Sequence, residues 1–239
     1  VTLQALARIR PYPVATVELG AQSMDNSVLE AARRGHRAEV TIKAVQRLKA
    51  AGYRVGLQMM VGLPEETPAS ALDSARKMAA LSPDFVRIYP TLVLRGSRLA
   101  REYRRGSYRP LTLTAAVRRV KRTYRIFTRT GIPVVRMGLA PDPILALGRG
   151  RLAGPFHPAF GHLVLSEILY DRVVRKLEAV ADRGGRMEIR VHPHSLSRLL
   201  GNRRCNLYRL ERRFAGIELR VTTDAKLGRD DIGLNSGSS

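Results

Sequence analysis

The sequence predicts an α/β chain: parallel strands alternating with helices, arranged as part of a (β/α) barrel, followed by a small α+β C-terminal domain. Three observations predict it. Short apolar segments alternate with helix-period segments up to about residue 140. Each strand-like segment has one aliphatic face and one face bearing a charge or an amide. Beyond residue 141 the pattern changes to a stretch rich in Gly, Pro and His, then to shorter elements.

The chain opens in a helix-like pattern. PVATVELGAQS (13–23) then reads as a strand, and NSVLEAARR with AEVTIKAVQRLKAAG (26–52) as helical. Asp25 or Asn26 suits the cap of that stretch and Gly52 its end. YRVGLQMMVGLP (53–64) is the second strand, SALDSARKMAALS (70–82) a helix, and DFVRIYPTLVL (84–94) the third strand. TLTAAVRRVKRTYRIFTRTG (112–131) is a helix closed by Gly131, and IPVVRMGLAP (132–141) is the fourth strand. Four strands each leading into a crossover make a parallel unit. GRGRLAGPFHPAFGH (148–162) reads as an ordered loop and SEILYDRVVRKLEAVADRGG (166–185) as a helix. GRMEIRVHP (185–193) and GIELRVTTD (216–224) read as strands, SLSRLLG (195–201) as a short helix, and CNLYRLERRF (205–214) as helix or strand. These patterns place domains at 1–147 and 148–232, with a disordered polar tail at 233–239.

In a strand, residues i and i+2 share a face. Glu18, Gly20 and Gln22 share one face of the first strand, Gln58 and Met60 of the second, Arg87 and Tyr89 of the third, and Arg136 and Gly138 of the fourth. A parallel sheet covered on both sides reads as continuous apolar runs. These strands do not, so helices cover one side and the other side lines a lumen. Chemistry in such barrels sits at the C-terminal strand ends, here GAQS, VGLPEET, YPT and MGLAP. Glu18, Arg87 and Arg136 must pair with each other or with a polar ligand, because unpaired burial is costly. VGLPEET is the sharpest of these ends, and the helix start after it offers N–H groups suited to an anion.

The 239 residues carry a formal net charge of +22. That charge attracts polyanions, nucleic acid among them, and equally describes a solvated basic surface. Cys205 is the single cysteine. It excludes a disulfide framework and a cysteine-only metal cluster within this chain, and it fits a reducing cytoplasm. No apolar run reaches the length of a membrane span. The sequence begins with Val1.

VELGAQSMD…RRGH, LQMMVGLPEET, FVRIYPT and VRMGLAP, in this order, resemble the second half of a radical S-adenosylmethionine (SAM) barrel. Within that superfamily the chain is similar to the Elongator-subunit-3-like group and to oxygen-independent coproporphyrinogen oxidases. AGPFHPAF with a small C-terminal domain is similar to bacterial members of the former. The resemblance implies that Gln22 helps bind the SAM ribose and that Arg34 reaches the SAM carboxylate. Gln58 stands where the oxidases have an aspartate on the ribose hydroxyls. Ile88 and Tyr89 stand where the family packs the adenine, and Gly138 and Leu139 on the strand that adds a further adenine contact. Glu18, Arg87, Arg136 and His157 are candidates for substrate contact.

The family's [4Fe–4S] cluster needs three closely spaced cysteines, and these residues lack them. The expectation is therefore a fragment whose cluster-binding N-terminal half-barrel is missing or is supplied by a partner, inactive alone. With that half it would cleave SAM reductively and act on tRNA or another RNA in the cytoplasm. Two other readings stay open: a non-catalytic nucleic-acid-binding module, and a phosphate-binding barrel enzyme using Arg87 and Arg136. His157 either orders its loop or touches substrate. The basic clusters at 118–125, 149–151 and 203–213 suit either RNA or solvent, the first and last interleaving tyrosine with arginine.

Overall fold

The structure is a computed structural model that describes residues 3–139, 150–180 and 185–236. The chain divides into two compact units between Phe160 and Gly161.

In the first unit a short helix, α1 (Leu3–Ile9), precedes a parallel sheet of β1 (Thr16–Gln22), β2 (Arg54–Val61), β3 (Phe85–Pro90) and β5 (Val134–Met137). Their spatial order is β1-β2-β3-β5, with every pairing parallel. Between them run α2 (Asn26–Ala31), α3 (Ala38–Ala50), α4 (Pro68–Ala80), α5 (Arg98–Arg104) and α6 (Leu113–Arg129). Asp25 caps α2 by accepting from Ser27 and Val28. Gly52 and Gly131 follow α3 and α6 at φ +83° and +74°, conformations that cost glycine nothing.

The alternation read in the sequence is present in the burial of the two central strands, β2 and β3, and not in β1 or β5. Val55, Leu57, Met59, Val61, Val86 and Ile88 are fully buried on the helix side. Gln58, Met60, Arg87, Tyr89 and Arg136 are half-buried on the other side. The aliphatic set departs on the two outer strands: Val17, Leu19 and Met137 are half-buried and Val135, on β5, is 55% exposed.

DFVRIYPTLVL is two strands rather than one. β3 ends at Pro90, and β4 (Val93–Leu94) turns away to pair antiparallel with β6 (Arg151–Ala153). That pairing also moves the boundary expected at 147/148. Residues 151–153 return to the first unit, and Phe160 closes it by packing on Gly138, where a Cβ would stand 2.7 Å from the Phe160 Cβ. Ala140, Pro141 and Arg149 lie outside the described residues.

The second unit holds most of α7 (Phe160–Glu178), which starts earlier and ends earlier than expected. It continues with β7 (Gly185–Val191), α8 (Leu196–Leu200), α9 (Cys205–Arg213), β8 (Ile217–Thr223) and β9 (Ile232–Ser236). CNLYRLERRF resolves to a helix. The sheet order is β8-β7-β9, with β8 parallel and β9 antiparallel to β7. Leu169, Val173, Leu177, Ile189, Val191, Leu199 and Leu210 form its core.

The expected disordered tail is corrected at 233–236. These residues extend β9 along the free edge of β7, with Ile232 and Leu234 turned to the core. Residues 237–239 lie outside the described residues.

Candidate functional site

The site is the polar face of the parallel sheet and the C-terminal ends of its strands. Register sets the rows. Gln58 lies opposite Arg87, and Arg87 opposite Arg136, so an amide and two guanidinium groups stand on adjacent strands. In the row before, Glu18 lies opposite Gly56, and Gly56 opposite Phe85. The Phe85 ring covers Gly56, where a Cβ would meet it at 2.3 Å.

The missing side chain at Gly56 opens a path across β2. Arg87 Nε reaches Glu18 Oε1 at 3.0 Å from two strands away. The contact is an ion pair without hydrogen-bond alignment, since both atoms are buried and lack a directed partner. The Tyr89 side chain first, and the Glu18 charge after it, raise Arg87 above its ordinary guanidinium value against the opposing effect of burial. Arg136 has no carboxylate partner among the described residues.

The end of β1 is the most constrained corner. Gln22 is 6% exposed and takes a left-handed φ of 64°. Its amide folds over Gly20, where a Cβ would stand 2.6 Å from Gln22 Nε2 and 3.5 Å from an Arg34 terminal nitrogen. The same Arg34 nitrogen donates to the Gly20 carbonyl at 3.5 Å. Gln22 Oε1 is buried with no hydrogen-bond partner. An unmatched buried acceptor is costly. Beside the exposed Arg34 cation, it is what a hydroxyl-bearing, carboxylate-bearing ligand would satisfy.

Gly138 and Leu139 follow β5, and the Gly138 N–H donates to the Ile88 carbonyl at 3.0 Å. Ile88 itself is corrected. It is fully buried on the helix side, so its side chain cannot reach a ligand on the polar face, and its carbonyl is already taken by Gly138. Tyr89, one residue on, is the neighbour that faces the site. His157 orders the chain ahead of α7: its Nδ1 accepts from the Ala159 N–H at 3.1 Å and its carbonyl from Phe160.

The anion site expected at VGLPEET is also corrected. Thr67 and Ser70 cap α4 reciprocally, and the Gly62 N–H is taken by the Glu66 carboxylate at 2.8 Å. The chain supplies its own anion there. Glu66 also accepts from Arg119 at 2.9 Å, and Tyr108 Oη donates to the Gly62 carbonyl at 2.6 Å. Burial pushes the Glu66 carboxyl above its ordinary value despite Arg119, and burial pushes the Tyr108 phenol up to about 12.

Sequence reasoning missed Tyr108 and Arg119, which lie far along the chain from the turn they hold. Thr91, in the YPT strand end, has a hydroxyl buried without a partner beside a cavity of about 220 Å³ lined by Arg34, Met60 and Leu63.

The description "Radical SAM superfamily" matches residues 1–78, and "Radical_SAM C-terminal domain" matches residues 83–169. The chain is 41% identical over 101 residues to a tRNA uridine(34) acetyltransferase of Methanocaldococcus jannaschii. It is 28% identical over 160 residues to human Elongator complex protein 3. The solved structure of an archaeal Elp3 from Methanocaldococcus infernus, lacking its N-terminus, aligns with a TM-score of 0.61 and 26% identity over 73% of this chain.

The chain belongs to the radical SAM superfamily, in its Elongator-subunit-3-like group.

These alignments cover 39% of this chain and 18% of the archaeal enzyme, 62% and 29% for the human protein, and 39% of the solved chain. This radical SAM chain thus spans under half the length of each relative. No helix among its described residues is long and apolar enough to cross a membrane.

The residues present fit the two cofactors of the family differently. The unmatched Gln22 acceptor, the Gly20 cradle and Arg34 fit SAM. A [4Fe–4S] cluster is not fitted: the chain's single cysteine, Cys205, is in the second unit, and no group of three metal-ligating side chains occurs among the described residues.

Proposed function

We propose that the polar face of β1, β2, β3 and β5 is the SAM-binding floor of a radical SAM enzyme acting on tRNA. The observation that carries it is the buried, unpartnered Gln22 Oε1 beside Arg34. In this reading Gln22 accepts from a ribose hydroxyl and Arg34 pairs with the carboxylate. Gln58 adds an amide to the ribose side, and Tyr89, Gly138 and Leu139 flank the adenine. SAM held there would supply hydrogen-abstracting chemistry only with an electron delivered from outside these residues.

Glu18, Arg87 and Arg136 lie further down the same face, where they orient the polar groups of a substrate. His157 is kept for the order of its loop and carries no assigned substrate contact. Any cluster that serves this site takes its thiolates from outside these 239 residues, whose single cysteine is Cys205. The tRNA substrate rests on the names of the relatives and on the net charge of +22.

Equilibrium dialysis of labelled SAM against the chain tests the floor. Saturable binding is expected, weakened about tenfold by Arg34→Ala through loss of a charge-assisted contact. Gln22→Ala should weaken it less. Retention unaffected by both substitutions would remove the reading.

A further inference from the structure

The second unit carries a feature that the SAM reading leaves unused. Its chain runs β7, α8, a four-residue turn, α9, β8, and brings β7 and β8 side by side in parallel. The turn is Gly201-Asn202-Arg203-Arg204. Gly201 has φ 73° and ψ 173°, and a Cβ there would stand 2.9 Å from both Asn206 Cγ and Cys205 Sγ. No other residue fits that position unchanged.

Arg203 and Arg204 follow at φ 50° and 60°, both left-handed. Such a conformation is strained for an L-residue and usually falls to glycine. Two arginines in succession hold it because the turn is anchored from beneath. Asn206, 1% exposed, donates to Ser166 Oγ at 2.9 Å, and Ser166 Oγ donates to the Arg198 carbonyl at 2.7 Å.

The arginines of this segment fall into two groups. Arg209 is paired with Glu167 and lies over the Tyr170 ring at 3.8 Å, and Arg213 pairs with Glu178. Arg203, Arg204 and Arg212 are exposed and have no ion pair among the described residues. Between them Tyr208 is 58% exposed on the first turn of α9, which starts directly after Arg204, and is one helical turn from Arg212. Glu211 is the one acidic residue in the stretch. A rigid turn with free guanidinium groups, one turn from an exposed aromatic ring, suits a phosphodiester backbone with a base stacked beside it.

We infer that the Gly201–Arg204 turn and Tyr208 form a single-stranded RNA clamp. The helix–Gly-x-x-Arg–helix path corresponds to the G-x-x-G turn with which KH modules grip a single-stranded backbone. The departure is informative. Where that turn has its second glycine, Arg204 holds the left-handed backbone glycine would take and adds a cation. The partner is RNA rather than an acidic protein or a lipid surface, because the free groups are spaced guanidinium groups and one aromatic ring, with no exposed apolar stripe on α9. The clamp is independent of SAM, and it gives RNA a place that the floor of the first unit does not.

The test uses the whole chain and short single-stranded RNA without SAM. Cys205, exposed and adjoining the turn, is the single cysteine, so its alkylation rate reports occupancy with no substitution. Single-stranded RNA should slow that rate, while duplex RNA and phosphatidylserine vesicles leave it unchanged. By fluorescence anisotropy, Arg203→Glu with Arg204→Glu should weaken binding about tenfold or more and flatten the salt slope by about 1.4, at about 0.7 per lost phosphate contact. Arg101→Glu with Arg105→Glu on the first unit carries the same charge change and should cost much less. Equal loss in both double variants, equal protection by duplex or vesicles, or an unchanged alkylation rate would each overturn the clamp. SAM dialysis is read separately, so a failed clamp leaves the floor standing and the reverse.

Discussion

Replacing Arg119 with methionine should destabilise the first unit strongly at neutral pH and much less in acid. Arg119 pairs with Glu66 at 2.9 Å, with side-chain exposures of 14% and 2%. Glu66 also takes the Gly62 N–H, so it stays in place when its partner goes. Breaking a buried pair from one side costs about 3–5 kcal/mol. The residual exposure of Arg119 places the loss near the lower limit, about 3 kcal/mol. For a unit of this size that lowers Tm by about 6–12 °C. The pH dependence follows from Glu66, whose carboxyl burial already raises above its ordinary value of 4.5. A raised folded-state value means the folded chain holds the proton more tightly. This contribution is fully present below the unfolded value and is lost as pH rises through the folded one. Without Arg119 the shift grows, so the deficit relative to the parent should shrink from pH 8 to pH 5. Thermal unfolding by circular dichroism at both pH values, with Glu66→Gln as companion, measures it. A deficit below about 1 kcal/mol, or one equal at both pH values, would refute the reasoning.

Three further outcomes are expected. Alkaline spectrophotometric titration should show one of the eight tyrosines ionising near 12, and Tyr108→Phe should remove that step. Stability tied to this phenol is present below its ordinary value of 10.0 and lost as pH rises through about 12, because the folded form holds the proton. Gly56→Ala should cost about 1–3 kcal/mol in urea unfolding, since its Cβ would stand 2.3 Å from the Phe85 ring; a neutral result would mean the ring moves freely. Ser166→Ala should cost about 1 kcal/mol by removing the short bonds through its Oγ, leaving Asn206 Nδ2 only longer contacts of 3.4 Å to the Ser166 and Arg198 carbonyls, and should speed Cys205 alkylation by loosening the turn. An unchanged alkylation rate would separate the anchor from the turn.

The parallel sheet was legible because period-2 alternation is strong where one face is aliphatic and the other polar, as in Val86-Arg87-Ile88-Tyr89. The same rule, applied to Ile88, would have excluded its side chain from the polar face. The resemblance placed it there against the periodicity. β4 and β6 were illegible because a two-residue strand paired across 57 positions leaves no local pattern. The tail failed for a related reason. Its glycines and serines read as polar and loose, while the free edge of β7 recruits their backbone regardless of side chain. At the site, the resemblance singled out Gln22 and Arg34, and the structure brings both side chains against Gly20, which the sequence marked only as part of the polar face. Glu66 hid inside a turn read as open to an outside anion, because a side chain four residues away had already filled it.

The central claim is that SAM lies on the polar face of the sheet, and two adjacent methionines report on it. Met60 is half-buried on that face, while Met59 is fully buried on the helix side. With methyl-labelled methionine, titration with SAM should shift the Met60 resonance progressively and leave Met59 in place. Shifts at neither residue, or at Met59 alone, would contradict the account.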